Sequence, residues 1–400
     1  MLLTMREKNK IEVMQHVMDG TLEVDKAGRV LNRSVRQIYR MLKSLRGKGL
    51  EGLIHGNKGK TSPRKIKKAI RKKITELARG RLKDINDTHL AEILLREEKI
   101  KLSRMSVRRI LRGAGIAAKL KRRSPKHRSR RERKESFGTM LQIDGSPHDW
   151  LEGRGPYLTL VGAIDDATGH VWARFEESET TWGYLNLMRE VIESEGLPLA
   201  LYSDRHSIFY VLREPTIVEQ LQNSRPLTQF GRAMEELGIG LSKAYSPQAK
   251  GRIERLWRTF QDRLVVELRL KGIKTKEEAQ AFLEVFLKEH NRRFIVSPRK
   301  QESVFRQVPK ASTLDHILCL KETRTVNNDH TISFEGLVLQ IPPGKKYWSI
   351  ARQKVQVLQL KDGSVEIVHK QQRVAWFSSE AMKRLVKKNK NEKSQLQKVA

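Results

Sequence analysis

The chain has 400 residues, more than one ordinary domain holds, so two to four domains are expected. Hydrophobic residues make up 38% and charged residues 32%, which excludes a chain that is disordered throughout. The net charge is +34, and residues 1–140 carry 40 Lys/Arg against 14 Asp/Glu. That surplus of 26 leaves only +8 for the rest, which favours a nucleic-acid-binding N-terminal third over a uniformly basic protein.

Cysteine and apolar patterning narrow the class of protein further. Cys319 is the single cysteine, which excludes an internal disulfide and a cysteine-based zinc finger and fits a reducing cytosol. The N-terminal MLLTMREKNK lacks the apolar run of a signal peptide, and no stretch approaches 18 apolar residues. These features predict a cytoplasmic protein without a membrane partner.

Residues 1–56 read as three short helices, roughly Lys8–Met18, Leu22–Leu31 and one that begins at Ser34. The third has apolar residues at helical spacing on one face, and no acid on the other. A short helix, a turn and a basic helix predict a helix-turn-helix domain, with a plain three-helix bundle as the alternative. The residues expected to contact DNA are Arg33, Arg36, Gln37, Arg40 and Lys43.

Residues 57–117 look like a loose repeat of the same design after the linker-like GNKGKTSPR. Helices are expected at Ile66–Ala78, Thr88–Glu98 and Ser103–Leu111. They predict a second, winged-helix-like helix-turn-helix domain. Its outward cations would be Arg104, Arg108, Arg109 and Arg112.

Residues 118–138 form a basic linker, since Lys119–Lys134 holds ten Lys/Arg and one Glu in 16 residues. Such a segment cannot build a core, so we expect it to lie along phosphates; the alternative is a solvated tether. The arginines expected to contact DNA here are Arg122, Arg123, Arg128, Arg130 and Arg131.

In residues 139–300 the sequence pattern becomes that of an α/β domain. Strands are expected at Thr139–Ile143, Tyr157–Ile164, Val171–Phe175, Leu197–Tyr202 and Gly238–Ser242. Helices are expected at Thr180–Glu195, Ala249–Leu270 and Thr275–Phe294. Three hairpin-linked strands followed by alternating helices and strands are typical of an RNase H-like domain. After it, residues 313–378 show short alternating segments that predict a small SH3-like β-barrel, and 379–400 a basic tail.

Three acidic residues lie where their carboxylates could meet in this predicted α/β domain. Asp144 ends the first strand, Asp204 ends the fourth, and Glu254 lies early in a long helix. The first and fourth strands of this fold are neighbours, so the aspartates can meet at one sheet edge under that helix. Converging carboxylates need cations, and two Mg²⁺ or Mn²⁺ ions suit oxygen ligands better than zinc does.

Other acids are interpreted as structural. Asp165 and Asp166 lie in AIDDATGH between two strands, where a turn favours Asp and Gly. Asp149 lies in a loop after the first strand, and Glu236 is a less favoured third ligand.

The motifs IDGS, YSDRHSIF and YSPQAKGRIERLWRTFQDRL resemble the integrase-core transposases of bacterial insertion sequences, the ISNCY family in particular. The modules LNRSVRQIYRMLK and SRMSVRRILRGAGI and the β-rich C-terminus extend the resemblance over most of the chain. It implies that Asp144, Asp204 and Glu254 bind two metal ions and that the protein cuts and joins DNA by in-line attack. It also implies a bacterial, nucleoid-associated protein.

Two features depart from many integrase cores. Arg205 and His206 follow the second aspartate, where Asn-Gly is frequent, and 50 residues separate Asp204 from Glu254. The longer spacing reflects a segment inserted at about Leu212–Thr228. Both departures concern the subgroup rather than the chemistry, because neither changes a carboxylate.

Helical spacing marks further candidates around Glu254. Arg258 and Gln261 share its face, and Lys250 and Arg252 precede it near the helix start, where they could contact phosphate. His206 could contact the scissile phosphate or be structural, and Trp257 is expected in the core.

The sequence therefore predicts a metal-dependent DNA transposase that cleaves transposon ends and transfers strands to target DNA. Two ends must be held together, so a homodimer or higher assembly on double-stranded DNA is expected. The alternatives are a catalytically silent, transposase-derived DNA-binding regulator and an RNase H-like nuclease.

Overall fold

The structure is a computed structural model that describes residues 3–60, 62, 65–120, 124, 131–214, 216–221, 226–243, 250–343 and 349–388. The chain divides into two compact units, Met1–Glu76 and Leu77–Ala400. In the described ranges, every helix is too short or too polar to cross a membrane.

The first unit is built from three helices, α1 (Met5–Met18), α2 (Val24–Leu31) and α3 (Val35–Lys48), and a 3₁₀ turn, Gly49–Leu53. Capping boxes start α1 and α3, because Thr4 and Ser34 accept hydrogen bonds from backbone N–H groups three residues later. The α2–α3 connection is tight. A Cβ at Gly28 would lie 2.8 Å from the Arg33 carbonyl oxygen, so only glycine fits. The buried core is Ile11, Val13, Met14, Ala27, Ile38, Leu42, Leu45 and Leu53.

Three further helices follow: α4 (Lys68–Arg79), α5 (Asp87–Glu98) and α6 (Arg104–Gly113). Asn86 caps α5 through two backbone N–H groups, and Ser103 caps α6. The apolar residues of α6 that sequence periodicity placed inward, Val107, Ile110 and Leu111, are buried, and so are Leu90, Ile93 and Leu94 of α5.

The centre of the second unit is a five-stranded sheet in the order β3-β2-β1-β4-β5. Its strands are β1 (Leu141–His148), β2 (Leu158–Asp165), β3 (Val171–Glu176), β4 (Ala200–Ser203) and β5 (Gly240–Lys243). The first three are antiparallel, while β4 runs parallel to both β1 and β5. The expected adjacency of the first and fourth strands is confirmed.

Helices cover both faces of this sheet. One core contains residues of α7 (Thr181–Glu195) and α9 (Gln229–Glu236), and the other contains residues of α10 (Gly251–Leu270) and α11 (Lys276–Phe294). The side chains of β2 point alternately to the two faces of the sheet. Val161 and Ala163 lie in the first core, whereas Leu158 and Leu160 lie in the second. The segment predicted to be an insertion contains the short helix α8 (Ile217–Leu221).

The C-terminal region departs from the barrel that was predicted. After α12 (Ala311–Ile317) come β6 (Leu320–Thr325), β7 (Thr331–Phe334), β8 (Leu337–Gln340), β9 (Lys354–Gln359), β10 (Val365–His369) and β11 (Gln372–Phe377). These described strands form a four-stranded sheet, β11-β10-β9-β6, and a separate β7-β8 hairpin, so they do not close into a barrel. Residues 379–388, assigned to a basic tail, are helical, because Met382 packs into the core of these sheets.

Candidate active site

Strand β1 and helix α10 are joined by polar contacts at matched intervals. Two residues of a strand span about 6.6 Å and four residues of a helix about 6 Å, so the two periods nearly coincide. The contacts use every second residue of β1 and every fourth residue of α10. They are the Ile253 N–H to Gln142 Oε1 (3.3 Å), Trp257 Nε1 to Asp144 Oδ2 (3.2 Å) and Gln261 Nε2 to Ser146 Oγ (3.2 Å).

Gly162 makes room for the middle contact. It pairs with Asp144 across the β1–β2 ladder, and a Cβ there would lie 2.6 Å from Cη2 of Trp257. The indole therefore lies directly against the strand and is buried, as the sequence predicted. Its N–H donates to Asp144, which was not predicted.

Asp144 and Asp204 share one ammonium group. Lys250, at the N-cap of α10, places Nζ 2.9 Å from Asp144 Oδ1 and 3.2 Å from Asp204 Oδ2. Burial raises the pKa of Asp144, Lys250 opposes that rise, and the nearby Asp204 adds to it. Burial lowers the pKa of Lys250, but the two aspartates outweigh it and hold that pKa above its ordinary value. A cation is thus strongly favoured between these carboxylates.

Glu254 lies on the same face of α10 but stands apart from this pair. It is four residues after Lys250 and three before Trp257, so it sits between two residues that both donate to Asp144. Its side chain is exposed. Among the described residues, no group of three or more acidic, histidine or cysteine side chains is arranged to hold a metal ion. The structure brings together two of the three candidate carboxylates.

A second acidic group borders the site next to Asp144. The Tyr184 hydroxyl donates to Glu179 Oε1 at 2.5 Å, and a Cβ at Gly145 would lie 2.9 Å from the Glu179 carboxyl carbon. Burial first, then the charges of Glu179, Asp144 and Asp204, raise the pKa of the Tyr184 hydroxyl well above its ordinary value. Tyr184 is therefore a neutral donor at neutral pH.

Arg252, expected to contact phosphate, is held internally. Its Nε lies 2.7 Å from Asp166 Oδ1, and its side chain is 13% exposed. Asp166 is fully buried. Arg258 instead is exposed and lines a cleft of about 650 Å³ together with Gln261, Lys119 and His148.

The remaining candidates around the site are held by the backbone or by ion pairs. His206 donates its backbone N–H to Asp204 Oδ1 and accepts from the Ile208 N–H through Nδ1. Asp149 Oδ1 accepts from the Gly153 N–H. Glu236 pairs with Arg232 and Lys321.

The cations predicted to contact DNA divide into three groups. Those exposed are Arg33, Arg36, Arg40, Lys43, Arg104, Arg108 and Arg109. Those engaged inside the protein are Arg112, on Asp87 and the Ile116 carbonyl, and Arg131, on Asp166. Arg122, Arg123, Arg128 and Arg130 lie outside the described residues. Gln37 closes the capping box of α3 by accepting from the Ser34 N–H.

Sequence reasoning missed Gln142 and did not predict the polar contacts of Asp166 and Trp257. Gln142 and Asp166 are fully buried, and Trp257 carries a buried indole donor. One signal was available: Gln142 alternates with Asp144 and Ser146 on one strand face, where an apolar residue would otherwise be expected.

The chain is similar over most of its length to two curated transposases. It is 34% identical over 364 residues to the putative transposase y4bF of Sinorhizobium fredii. The aligned region covers 90% of this chain and 78% of that relative. It is 32% identical over 403 residues to the transposase for insertion sequence IS1202 of Streptococcus pneumoniae, with coverages of 90% and 84%. No protein-family model matches.

Solved structures give weaker similarities. The simian T-cell lymphotropic virus intasome in complex with PP2A regulatory subunit B56 gamma is 15% identical, with a TM-score of 0.33, covering 76% of this chain and 96% of that one. The HTLV-2 integrase catalytic core domain in complex with magnesium is 16% identical, with a TM-score of 0.27 and coverages of 37% and 82%. At these TM-scores the similarity does not establish a common fold.

Proposed function

This chain belongs to the transposase family, and we propose that it binds transposon ends, cleaves the DNA there and joins the ends to target DNA. The observation that carries this proposal is the pair Asp144 and Asp204, which share one cation. Asp144 lies on β1, and Asp204 directly follows β4, the parallel neighbour of β1. Residues 139–300 are then an RNase H-like catalytic core of the DDE type. Glu254 is its third carboxylate, because α10 presents it between two donors to Asp144.

Mg²⁺ or Mn²⁺ fits this arrangement. The two aspartates offer carboxylate oxygens, the ligands such ions prefer, and Lys250 already supplies positive charge between them. We assign Asp144, Asp204 and Glu254 as ligands of two ions. When bound, such ions activate an attacking oxygen and stabilise the leaving oxygen of an in-line displacement.

The protein's own groups would orient the substrate. Trp257 and Lys250 fix both oxygens of the Asp144 carboxylate. Lys250, whose ammonium bridges the two aspartates, is also a group that we propose contacts a DNA phosphate. Arg258 and Gln261, one and two turns after Glu254, line a cleft and would hold the DNA end there.

The basic N-terminal third of the chain would bind that DNA and bring it to the core. We propose residues 1–56 and 57–117 as helix-turn-helix domains, joined to the core by the linker 118–138. The exposed Arg36, Arg40 and Lys43 on α3, with Arg104 and Arg108 on α6, support a phosphate-binding role. Because two transposon ends must be joined in one event, a homodimer or higher assembly on DNA is expected.

The direct test uses purified protein with DNA carrying the inverted repeats that flank the gene. We expect Asp144→Asn, Asp204→Asn and Glu254→Gln each to lower cleavage and strand transfer about 10³-fold, since each removes a ligand charge. Asp362→Asn is the control, because Asp362 accepts hydrogen bonds from the N–H and hydroxyl of Ser364 within its own turn.

Each outcome separates the alternatives. Full strand transfer by Asp204→Asn would contradict the assignment of Asp204 as a catalytic carboxylate. Binding of transposon-end DNA by the wild-type protein without cleavage or strand transfer would favour a DNA-binding regulator. Hydrolysis without strand transfer by the wild-type protein would favour a nuclease. Loss of activity in the Glu254→Gln variant alone would reassign the centre to a different pair of acids.

A further inference from the structure

Asp166 is a fully buried carboxylate that joins three separate elements. Its Oδ1 accepts from Arg131, from Arg252 Nε at 2.7 Å and from Gln142 Nε2 at 3.0 Å. Its Oδ2 accepts from the Lys134 N–H at 2.9 Å. These donors come from the end of the basic linker, from β1 and from the first turn of α10.

Two of these donors stand next to the proposed catalytic carboxylates. Gln142 is two residues before Asp144 on the same strand face, and Arg252 is two residues before Glu254. Gln142 also uses its other amide atom, because Oε1 accepts from the Ile253 N–H at 3.3 Å. The buried amide of Gln142 therefore bridges Asp166 and the backbone at the start of α10.

The third donor group belongs to the segment that enters from the DNA-binding region. Arg131 ends the most basic stretch of the linker, and Arg133 donates to the Ala167 carbonyl at 3.0 Å. Arg131 remains 41% exposed, whereas Arg252 is 13% exposed. The linker thus docks against the turn that carries Asp166, with one of its arginines on a shared carboxylate oxygen.

A charge at this depth needs compensation. A buried carboxylate that loses a cationic partner is strongly disfavoured, so the position of each arginine depends on the other. A turn residue that only shaped the β2–β3 connection would not need this arrangement. The neighbouring Asp165 performs that task, since it accepts from the Thr168 N–H and hydroxyl and from the Gly138 N–H.

We propose that Asp166 is a positioning residue that couples docking of the basic linker to the start of α10 and so to the placement of Glu254. This inference rests on the function proposed above. With the linker docked, Arg131 and Arg252 together hold Asp166, and Gln142 fixes the first turn of α10 against β1. With Arg131 removed, Arg252 and the helix start shift to compensate the carboxylate, and Glu254 is displaced relative to Asp144.

The test replaces the linker arginine, because Asp166 variants can fail to fold. Single-turnover strand transfer is measured at increasing DNA concentration, which separates the rate of the bound complex from DNA affinity. We expect Arg131→Gln to lower the bound-complex rate about 10- to 100-fold, as for other groups that orient a ligand set. Arg131→Lys should recover most of that rate. Arg292→Gln is the charge-matched control, since Arg292 is exposed and pairs with the exposed Glu289 of the same helix.

A second measurement tests the coupling itself. Arg131→Gln and Arg252→Gln are combined, and the double variant should lose much less rate than the product of the two single losses, because both act through Asp166. Multiplicative losses would overturn the proposal. So would an Arg131→Gln variant whose DNA affinity falls while its bound-complex rate equals that of Arg292→Gln, because that result indicates a simple phosphate contact.

Failure of this inference and failure of the proposed function differ in outcome. If Asp144→Asn and Asp204→Asn abolish strand transfer while Arg131→Gln behaves as its control, only the coupling is wrong. If the aspartate variants retain full activity, the proposed function is wrong.

Discussion

The two N-terminal helical segments have similar sequences in outline but use their charges differently. In the first unit, Arg36, Arg40 and Lys43 project from α3 and are exposed. In the second segment, Arg112 pairs with Asp87. Helix α5 there is tied to the long helices α10 and α11 by ion pairs.

The ties of α5 are extensive. Glu92 accepts from both Arg263 and Arg293 at 2.6–3.1 Å. Glu267 of α10 is buried and accepts from His89 and Arg96. The charged residues of α5 therefore form ion pairs within the second unit, whereas Arg36, Arg40 and Lys43 of α3 stay exposed.

The largest effect is expected at Glu267. Glu267→Ala leaves His89 and Arg96 without their shared buried acceptor, so the free energy of unfolding should fall by about 3 kcal/mol. Denaturant unfolding measures this. Glu284→Ala, an exposed glutamate on α11, is the control and should change stability by less than about 0.5 kcal/mol. Equal effects of the two would mean that α5 is not anchored through Glu267.

The first unit should respond in DNA binding rather than in stability. Arg40→Ala should weaken binding to transposon-end DNA about tenfold and reduce the slope of log affinity against log salt by about one, as expected for a lost phosphate contact. Arg112→Ala is the matched variant in the second segment. Because Arg112 is engaged with Asp87, the salt slope of Arg112→Ala should equal that of the wild type. An equal reduction of the slope in Arg40→Ala and Arg112→Ala would contradict the difference between the two segments.

Much of this organisation could be predicted from the sequence. Periodicity located the long helices and most strands but not α8 or α12, and β1 continues to His148, past the end expected at Asp144. Strand order indicated that Asp144 and Asp204 meet, which the neighbouring β1 and β4 make possible. Local pattern fails where a residue's partner is distant in the chain. Nothing near Arg252 indicates Asp166, and nothing near Asp144 indicates that Lys250 and Trp257 hold its two oxygens.

The barrel prediction failed for a related reason. Alternating segments of four to six residues predict strands, but whether strands close into a barrel depends on pairings that their sequences do not specify. Here β6 pairs with β9 and leaves β7 and β8 as a separate hairpin.

Acid pH should weaken the anchoring of α5. Burial raises the pKa of Glu92, but hydrogen bonds from Arg293 and Arg263 lower it from 4.5 to about 2. Because the folded pKa is depressed, this pairing stabilises fully above pH 4.5 and is lost as the pH falls towards about 2. The Tm difference between wild type and Glu92→Gln should therefore shrink over that range. A constant difference would mean that the Glu92 charge does not contribute.

The smallest effect is expected at Gln37. It decides whether Gln37 contacts DNA or only caps α3. Sequence placed it among the DNA contacts, yet its Oε1 accepts from the Ser34 N–H at 3.2 Å in the capping box that starts α3. Gln37→Ala should lower the free energy of unfolding by about 0.5 kcal/mol, at the low end for a lost cap, while leaving the salt slope of DNA binding unchanged. Ser34→Ala removes the other half of the same box and should cost about 1 kcal/mol. Weaker DNA binding by Gln37→Ala, with Ser34→Ala unaffected, would return Gln37 to the recognition face. Its amide would then leave the cap when DNA is bound, and the exposed arginines of α3 would have a neutral partner in recognition.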